Sequence, residues 1–100
     1  MIDIDIKDNG LSFFVIIKGE IEIIHIKEFK EKLTSLAEKN NKDIELDLSD
    51  VEYMDSSGVG TLLNVLRILR QKGKRLYIRK LSDRVLNVLK LSSLNEMFDL

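Results

Sequence analysis

Hydrophobic and polar side chains alternate at the start of the chain. Over residues 2–6, isoleucine occupies every second position, which is the pattern of a strand with one buried face. Asp8-Asn9-Gly10 follows as a turn signal, because Asn and Gly tolerate positive φ. An apolar run over residues 11–18 reads as a second strand, which Gly19-Glu20 closes. The pattern therefore predicts that a hairpin opens the domain.

Segments with helical spacing of apolar residues then alternate with short strands. Apolar residues recur every three to four positions over about residues 24–39, and again over residues 62–71, where Gly73 marks the stop. Ser82 is placed to cap a third helix, whose buried face is predicted from Val85, Leu86 and Leu89. Residues 44–48 and 76–78 read as the intervening strands.

This order of elements predicts an α/β fold in one domain spanning residues 1–100. Alternation of strands and helices after a hairpin implies right-handed crossovers, and hence a mixed, mostly parallel sheet. Glu45 and Asp47 alternate with apolar neighbours in one strand, and Arg75 and Arg79 flank the next. Parallel strands buried on both faces read instead as continuous apolar runs. The helices are therefore expected chiefly on one face of the sheet.

Composition limits the classes of function. The chain is 44% hydrophobic and 33% charged, with a net charge of −1, so general affinity for nucleic acid is not expected. There is no cysteine, and hence no thiolate metal site. No signal-peptide pattern or membrane-spanning run is present, which predicts a cytoplasmic protein without a membrane partner. Eight basic residues between Arg67 and Arg84 form either a solvated face or a surface that steers an acidic partner.

The run from Tyr53 to Gly60 carries the candidate chemistry. It places Asp55, Ser56 and Ser57 between a strand and a helix, where backbone N–H groups lack intrahelical partners. A hydroxyl there either caps the helix or accepts a phosphoryl group. The run lacks the flanking glycines of a nucleophile elbow and the lysine of a Walker loop. No general base is paired with a nucleophile, so an enzyme is not predicted, nor a metal or cofactor.

Nearly the whole chain resembles the STAS-domain family, in particular bacterial anti-sigma factor antagonists. The resemblance depends on the Asp55-Ser56-Ser57-Gly58 motif between its strand and helix, and on the order of the other segments. These are Gly19-Glu20-Ile21-Glu22 after an apolar strand, the strand at 44–49, the turn at 73–76 and the run at 85–91. Glu22 stands where the family usually has Asp.

The resemblance implies a partner-switching protein. In such a system the unphosphorylated antagonist binds an anti-sigma factor that is also a serine kinase, which frees the sigma factor. The kinase phosphorylates the serine after the motif Asp, here Ser56 with Ser57 as the alternative, and a PP2C-type phosphatase reverses the step. The residues implied in partner binding are Glu20, Glu22, Asp55, Ser57, Gly58 and Val59.

Two other functions stay open at this point. One is a STAS docking adaptor of a stressosome or a transporter complex, and the other is a small nucleotide-binding protein that uses the Ser-Ser-Gly loop. We expect Gly58 to be needed for close backbone approach where the loop turns into the helix, because the lack of a Cβ permits a positive φ and leaves room for a kinase to reach the adjacent hydroxyls. On that basis, Gly58→Val is expected to impair phosphorylation or partner binding more than folding.

Overall fold

A computed structural model describes residues 2–100 as one four-stranded sheet with three helices. The strands lie in the order β1-β2-β3-β4, with β1 antiparallel to β2 and the other pairs parallel. This confirms the mixed, mostly parallel α/β sheet opened by a hairpin. The elements are β1 Ile2–Asp8, β2 Ser12–Ile21, α1 Ile26–Lys39, β3 Asp43–Met54, α2 Ser56–Gln71, β4 Leu76–Leu81, α3 Asp83–Leu91 and a 3₁₀ turn at Asn95–Phe98.

The core lies on one face of the sheet. Alternate residues of β2 and β3 are buried there together with one stripe of each helix, namely Val15, Ile17, Leu46, Leu48, Phe29, Leu33, Leu62, Leu69, Val85 and Leu89. On the other face, Glu45 and Asp47 are only half-buried. The Arg79 Nε donates to the Glu45 carboxylate at 2.7 Å. The expectation that the helices cover chiefly one face is confirmed.

All four strands end later than predicted, and in β2 and β3 the extension bears on the site. Strand β2 continues through Gly19 to Ile21, and β3 continues through Asp50 to Met54. Their parallel register is irregular on both sides of Gly19, whose φ is +103°. The prediction that Gly19-Glu20 ends the strand was wrong, because glycine absorbs the irregularity and pairing continues with Glu20 opposite Tyr53 and Ile21 opposite Met54. The extension brings the end of β2 beside the start of α2.

The predicted caps are confirmed, and one further cap joins two helices. The Ser82 hydroxyl accepts from the Val85 amide at 3.3 Å, and Gly73 follows α2 with φ +70°. At the end of α1, the Lys72 ammonium donates to the carbonyls of Ala37, Glu38 and Asn40. The last carbonyls of a helix have no intrahelical partner. A lysine that follows α2 therefore closes the end of α1.

Replacing Lys72 with methionine is expected to destabilise the fold by about 1–3 kcal/mol. The substitution keeps most of the aliphatic stem but leaves three carbonyls without their charged donor. Urea unfolding followed by circular dichroism measures the change. Lys74→Met is the matched control, because no hydrogen bond or ion pair of the Lys74 side chain is found within residues 2–100. Equal losses in the two variants would contradict the capping role.

Candidate functional site at the start of helix α2

Asp55 is the N-cap of α2. Its backbone is extended (φ −102°, ψ −173°), and one carboxylate oxygen accepts from the amides of Ser57 at 2.9 Å and Gly58 at 3.3 Å. Asp is a preferred N-cap because its side chain satisfies amides that have no partner within the helix. The negative charge also lies at the positive end of the helix dipole. The motif aspartate is therefore part of the helix architecture.

The same carboxylate reaches a second segment of the chain. Its other oxygen accepts from the Ile23 amide at 3.0 Å, and the Asp55 amide donates to the Ile21 carbonyl at 3.1 Å. These bonds fix the loop after β2 against the start of α2. Partial burial raises the pKa of Asp55, but the hydrogen bonds from the Ser57 hydroxyl and from the three amides outweigh burial and hold that pKa below its usual range. The carboxyl is accordingly charged at neutral pH.

The two motif serines differ in their surroundings. The Ser57 hydroxyl donates to the Asp55 carboxylate, and the Ser57 side chain is partly buried. Ser56 is the first residue of α2 and is exposed. No hydrogen bond to its hydroxyl is found within residues 2–100. Of the two hydroxyls, that of Ser56 is therefore the more accessible to a phosphoryl donor.

Gly58 contributes to the site through packing. A Cβ at this position would lie 2.7 Å from the Ile21 Cγ2 and 2.8 Å from the Met54 Cγ, and both of those side chains are buried. The close approach predicted for this glycine is confirmed, whereas the positive φ that glycine permits is not used here. Gly58 faces the core and does not open the backbone to a kinase. The glycine is required because β2 and β3 end against the first turn of α2.

The remaining residues implied in partner binding lie around this turn. Val59 is buried at 6% exposure, whereas Glu20 and Glu22 are half-buried on and after the end of β2. The Glu22 carboxylate lies 3.7 Å from the His25 Nε2. The fold thus brings Glu20, Glu22 and the motif to the same end of the sheet, as β2–β3 pairing at this end requires.

Three exposed apolar or aromatic residues at this end were not predicted as partner-binding residues. Ile23 and Ile24 precede α1 and are 68% and 79% exposed, and Tyr53 at the end of β3 is 44% exposed. The helical spacing predicts that the first helix starts at about Ile24, but α1 begins at Ile26. The available signal was the repeated isoleucine at positions 21, 23, 24 and 26, which is more than the end of β2 and the start of α1 bury. Exposed apolar side chains beside a charged motif are typical of interaction surfaces.

Chemically, the site offers an exposed hydroxyl at a helix start, carboxylates and an apolar rim. Within residues 2–100 there is no group of three histidine, cysteine or acidic side chains that could hold a metal ion. None of the described helices is long and apolar enough to cross a membrane.

The comparison with protein families identifies the fold family. The family model described as "Mlab, STAS domain" matches residues 6–99. The chain belongs to the STAS-domain family. The motif at Asp55–Gly58 and the four-stranded sheet are thus features of a STAS domain.

Known proteins similar to this STAS domain carry a consistent name. The Anti-sigma-B factor antagonist of Bacillus subtilis (strain 168) is 32% identical over 99 residues, which is 99% of this chain and 90% of that protein. An anti-sigma factor antagonist from Mycobacterium paratuberculosis superposes with a TM-score of 0.83 at 20% identity, covering 99% of this chain and 84% of that one. The phosphorylated form of the Bacillus cell fate determinant SpoIIAA has a TM-score of 0.75 at 20% identity, covering 94% and 86%. The two structural matches show a common fold.

Proposed function

We propose that this STAS domain is an anti-sigma factor antagonist and that Ser56 is its switch. The observation that carries the proposal is that the three polar side chains of the motif, Asp55, Ser56 and Ser57, differ in their hydrogen bonding. Asp55 already caps α2, and the Ser57 hydroxyl is bound to Asp55, which leaves the Ser56 hydroxyl exposed at the helix start. A kinase can therefore modify Ser56 without removing a hydrogen bond that holds the fold.

Phosphorylation changes the surface more than the fold. The phosphate brings about −1.5 to −2 charges and three acceptor oxygens. The positive end of the α2 dipole tolerates this charge, while the Asp55 carboxylate next to it repels the charge. A partner packed over the loop has to remove water from that dianion, and so binding is lost.

The partner is an anti-sigma factor with serine kinase activity, and a PP2C-type phosphatase restores the binding form. Glu20, Glu22, Asp55 and Ser57 supply polar contacts around Ser56, and Ile23, Ile24 and Tyr53 supply the apolar ones. Gly58 and Val59 are buried, and they act by shaping the turn. The chain works in the cytoplasm as a binding protein without a cofactor.

The decisive experiment compares serine variants with each candidate kinase. ATPase-type serine kinases from the same genome are purified, incubated with ATP and the chain, and the phosphate is located by mass spectrometry. We expect Ser56→Ala to stay folded, to bind the kinase and to accept no phosphate. Ser56→Asp is expected to weaken the complex, although one charge imitates the phosphate incompletely.

Ser57→Ala serves as the control for loss of a motif hydroxyl. It removes the hydrogen bond to Asp55 but leaves the Ser56 hydroxyl in place, so phosphorylation of Ser56 should persist. Phosphate on Ser56→Ala at the wild-type rate would assign the switch to Ser57 or another site. A wild-type chain that binds its partner but accepts no phosphate from any kinase would favour a docking adaptor.

A further inference from the structure

One side of α2 faces solvent along its whole length and begins at Ser56. Successive helical residues are rotated by about 100°, so positions 56, 60, 63, 67 and 70 lie within a sector of about 80°. The opposite side carries the buried residues Leu62, Val65 and Leu69. The outward face therefore continues from the proposed phosphorylation site toward the C-terminal end of the helix.

Gly60 lies on this outward face without an evident function inside the chain. A Cβ at this position would meet nothing within 4 Å, and its φ is not in the left-handed region. A glycine inside a helix is less favourable than an alanine. At Gly58 the packing of Ile21 and Met54 explains the glycine, whereas no described residue explains Gly60. A bare backbone on an exposed helical face permits close approach of another backbone.

A groove of about 810 Å³ extends from Gly60 along this face. Leu63, Leu66 and Met97 provide its apolar lining, and Met97 is 40% exposed. Arg67 and Arg70 lie at its edge, and both are exposed. Neither forms an ion pair within residues 2–100, whereas Arg79 and Lys42 do. The Arg67 guanidinium donates to the Asn64 Oδ1 beside it, but within residues 2–100 neither guanidinium group has a carboxylate partner. An apolar lining with two such groups is complementary to a helix that carries apolar and acidic side chains.

We infer that this α2 groove holds a helix of the anti-sigma partner, with its backbone against Gly60 and its carboxylates at Arg67 and Arg70. The inference depends on the proposed function for the identity of the partner. Gly60 lies about 6 Å along the helix axis from Ser56, so a phosphate at Ser56 stands at the entrance of the groove. Arg67 lies about 16 Å from Ser56 along the axis, too far to neutralise the phosphate.

Gly60→Ala tests the close approach. The variant is expected to unfold at a temperature about 2–6 °C higher than wild type, because alanine favours the helix and meets no neighbour. Its affinity for the kinase that binds the wild-type chain is expected to fall about tenfold, as for a contact at the centre of an interface. Asn87→Ala, at an exposed position of α3, is the control, since it favours its helix without affecting the groove.

Charge reversal and chemical protection test the rest of the groove. Arg67→Glu and Arg70→Glu are expected to slow association and to reduce its dependence on salt, while Arg84→Glu, an exposed arginine of α3 outside the groove, is not. The chain has no cysteine, so Gln71→Cys in the groove and Lys30→Cys on α1 each introduce a single thiol. The kinase is expected to protect the thiol at position 71 from alkylation and to leave that at position 30 reactive.

The outcomes separate this inference from the proposed function. If Gly60→Ala binds as tightly as wild type while Ser56→Asp still weakens the complex, the groove is not the docking site and the proposed function stands. If the wild-type chain binds none of the kinases, both the proposed function and this inference are contradicted. A wild-type dimer in light scattering that Gly60→Ala converts to monomer would assign the groove to a second copy and overturn the inference.

Discussion

Gly58→Ala is expected to destabilise the chain by about 1–3 kcal/mol, even though alanine favours helices. The new methyl group would lie 2.7 Å from the Ile21 Cγ2 and 2.8 Å from the Met54 Cγ. Both atoms belong to buried side chains near their own backbones, so relief requires the ends of β2 and β3 to shift. Gly58→Val, which adds two further methyl groups, is expected to cost more.

Gly60→Ala is the matched control for this prediction. It makes the same substitution two residues along the same helix, where the new methyl group meets nothing within 4 Å. We expect this variant to gain about 0.5–1 kcal/mol. Urea unfolding of the two variants measures the change in the free energy of unfolding for each, which is expected to be a loss for Gly58→Ala and a gain for Gly60→Ala. If Gly58→Ala were as stable as Gly60→Ala, the tight packing between α2 and the strand ends would be contradicted.

Asp55→Ala is expected to cost about 2–3 kcal/mol of stability, since it removes both an N-cap and the bond to the Ile23 amide. Asp55→Asn separates these contributions. Its oxygen can still cap α2, but its NH₂ group then faces the Ile23 N–H, which leaves two donors opposed. We expect a loss of about 1–2 kcal/mol. Asp50→Asn, which removes the same charge from an exposed residue of β3, is the control.

The pH dependence of this effect follows from the lowered pKa of Asp55. Around pH 4 the unfolded chain binds more protons at this carboxyl than the folded chain does. Its stabilising contribution is therefore complete above the unfolded pKa of about 3.9, and it is lost as the pH falls through the folded value. The stability difference between wild type and Asp55→Asn is expected to shrink below about pH 4. A difference that stays constant from pH 7 to pH 2 would contradict the assigned role of the carboxylate.

Much of the fold was predictable because each strand and helix shows its own period. The alternation at Glu45 and Asp47 predicted a sheet with helices chiefly on one face. The C-terminal part of β3 was missed because Ser49 and Asp50 are both exposed, and the register shift there interrupts the period of two. Hydrophobic periodicity identifies strands that keep a regular alternation. A strand with a shifted register loses this alternation and is therefore not predicted.

The site was predictable as a location but not as a set of contacts. The position of Asp55 before a helix predicted its capping role. Its bond to Ile23 was not predictable, since it joins residues 32 positions apart and depends on how β2 and β3 pair. The need for close approach at Gly58 was predictable, but the sequence did not show that the buried side chains of Ile21 and Met54 fill this space. The hydrogen bond from the Ser57 hydroxyl to the Asp55 carboxylate was likewise not predictable, because it depends on the geometry of the turn.

The bond between Asp55 and Ile23 also links the proposed switch to the folding of the domain. It joins residues 32 positions apart and closes a loop that contains α1 and all of β3. The bond therefore forms only after β2 and β3 have come together. A nascent chain that has not yet paired these strands carries the serine but not the arranged turn. Exchange of the Ile23 amide proton with solvent therefore records when the recognition surface exists. The surface that we propose to be regulated by phosphorylation is therefore complete only in molecules in which β2 and β3 have paired.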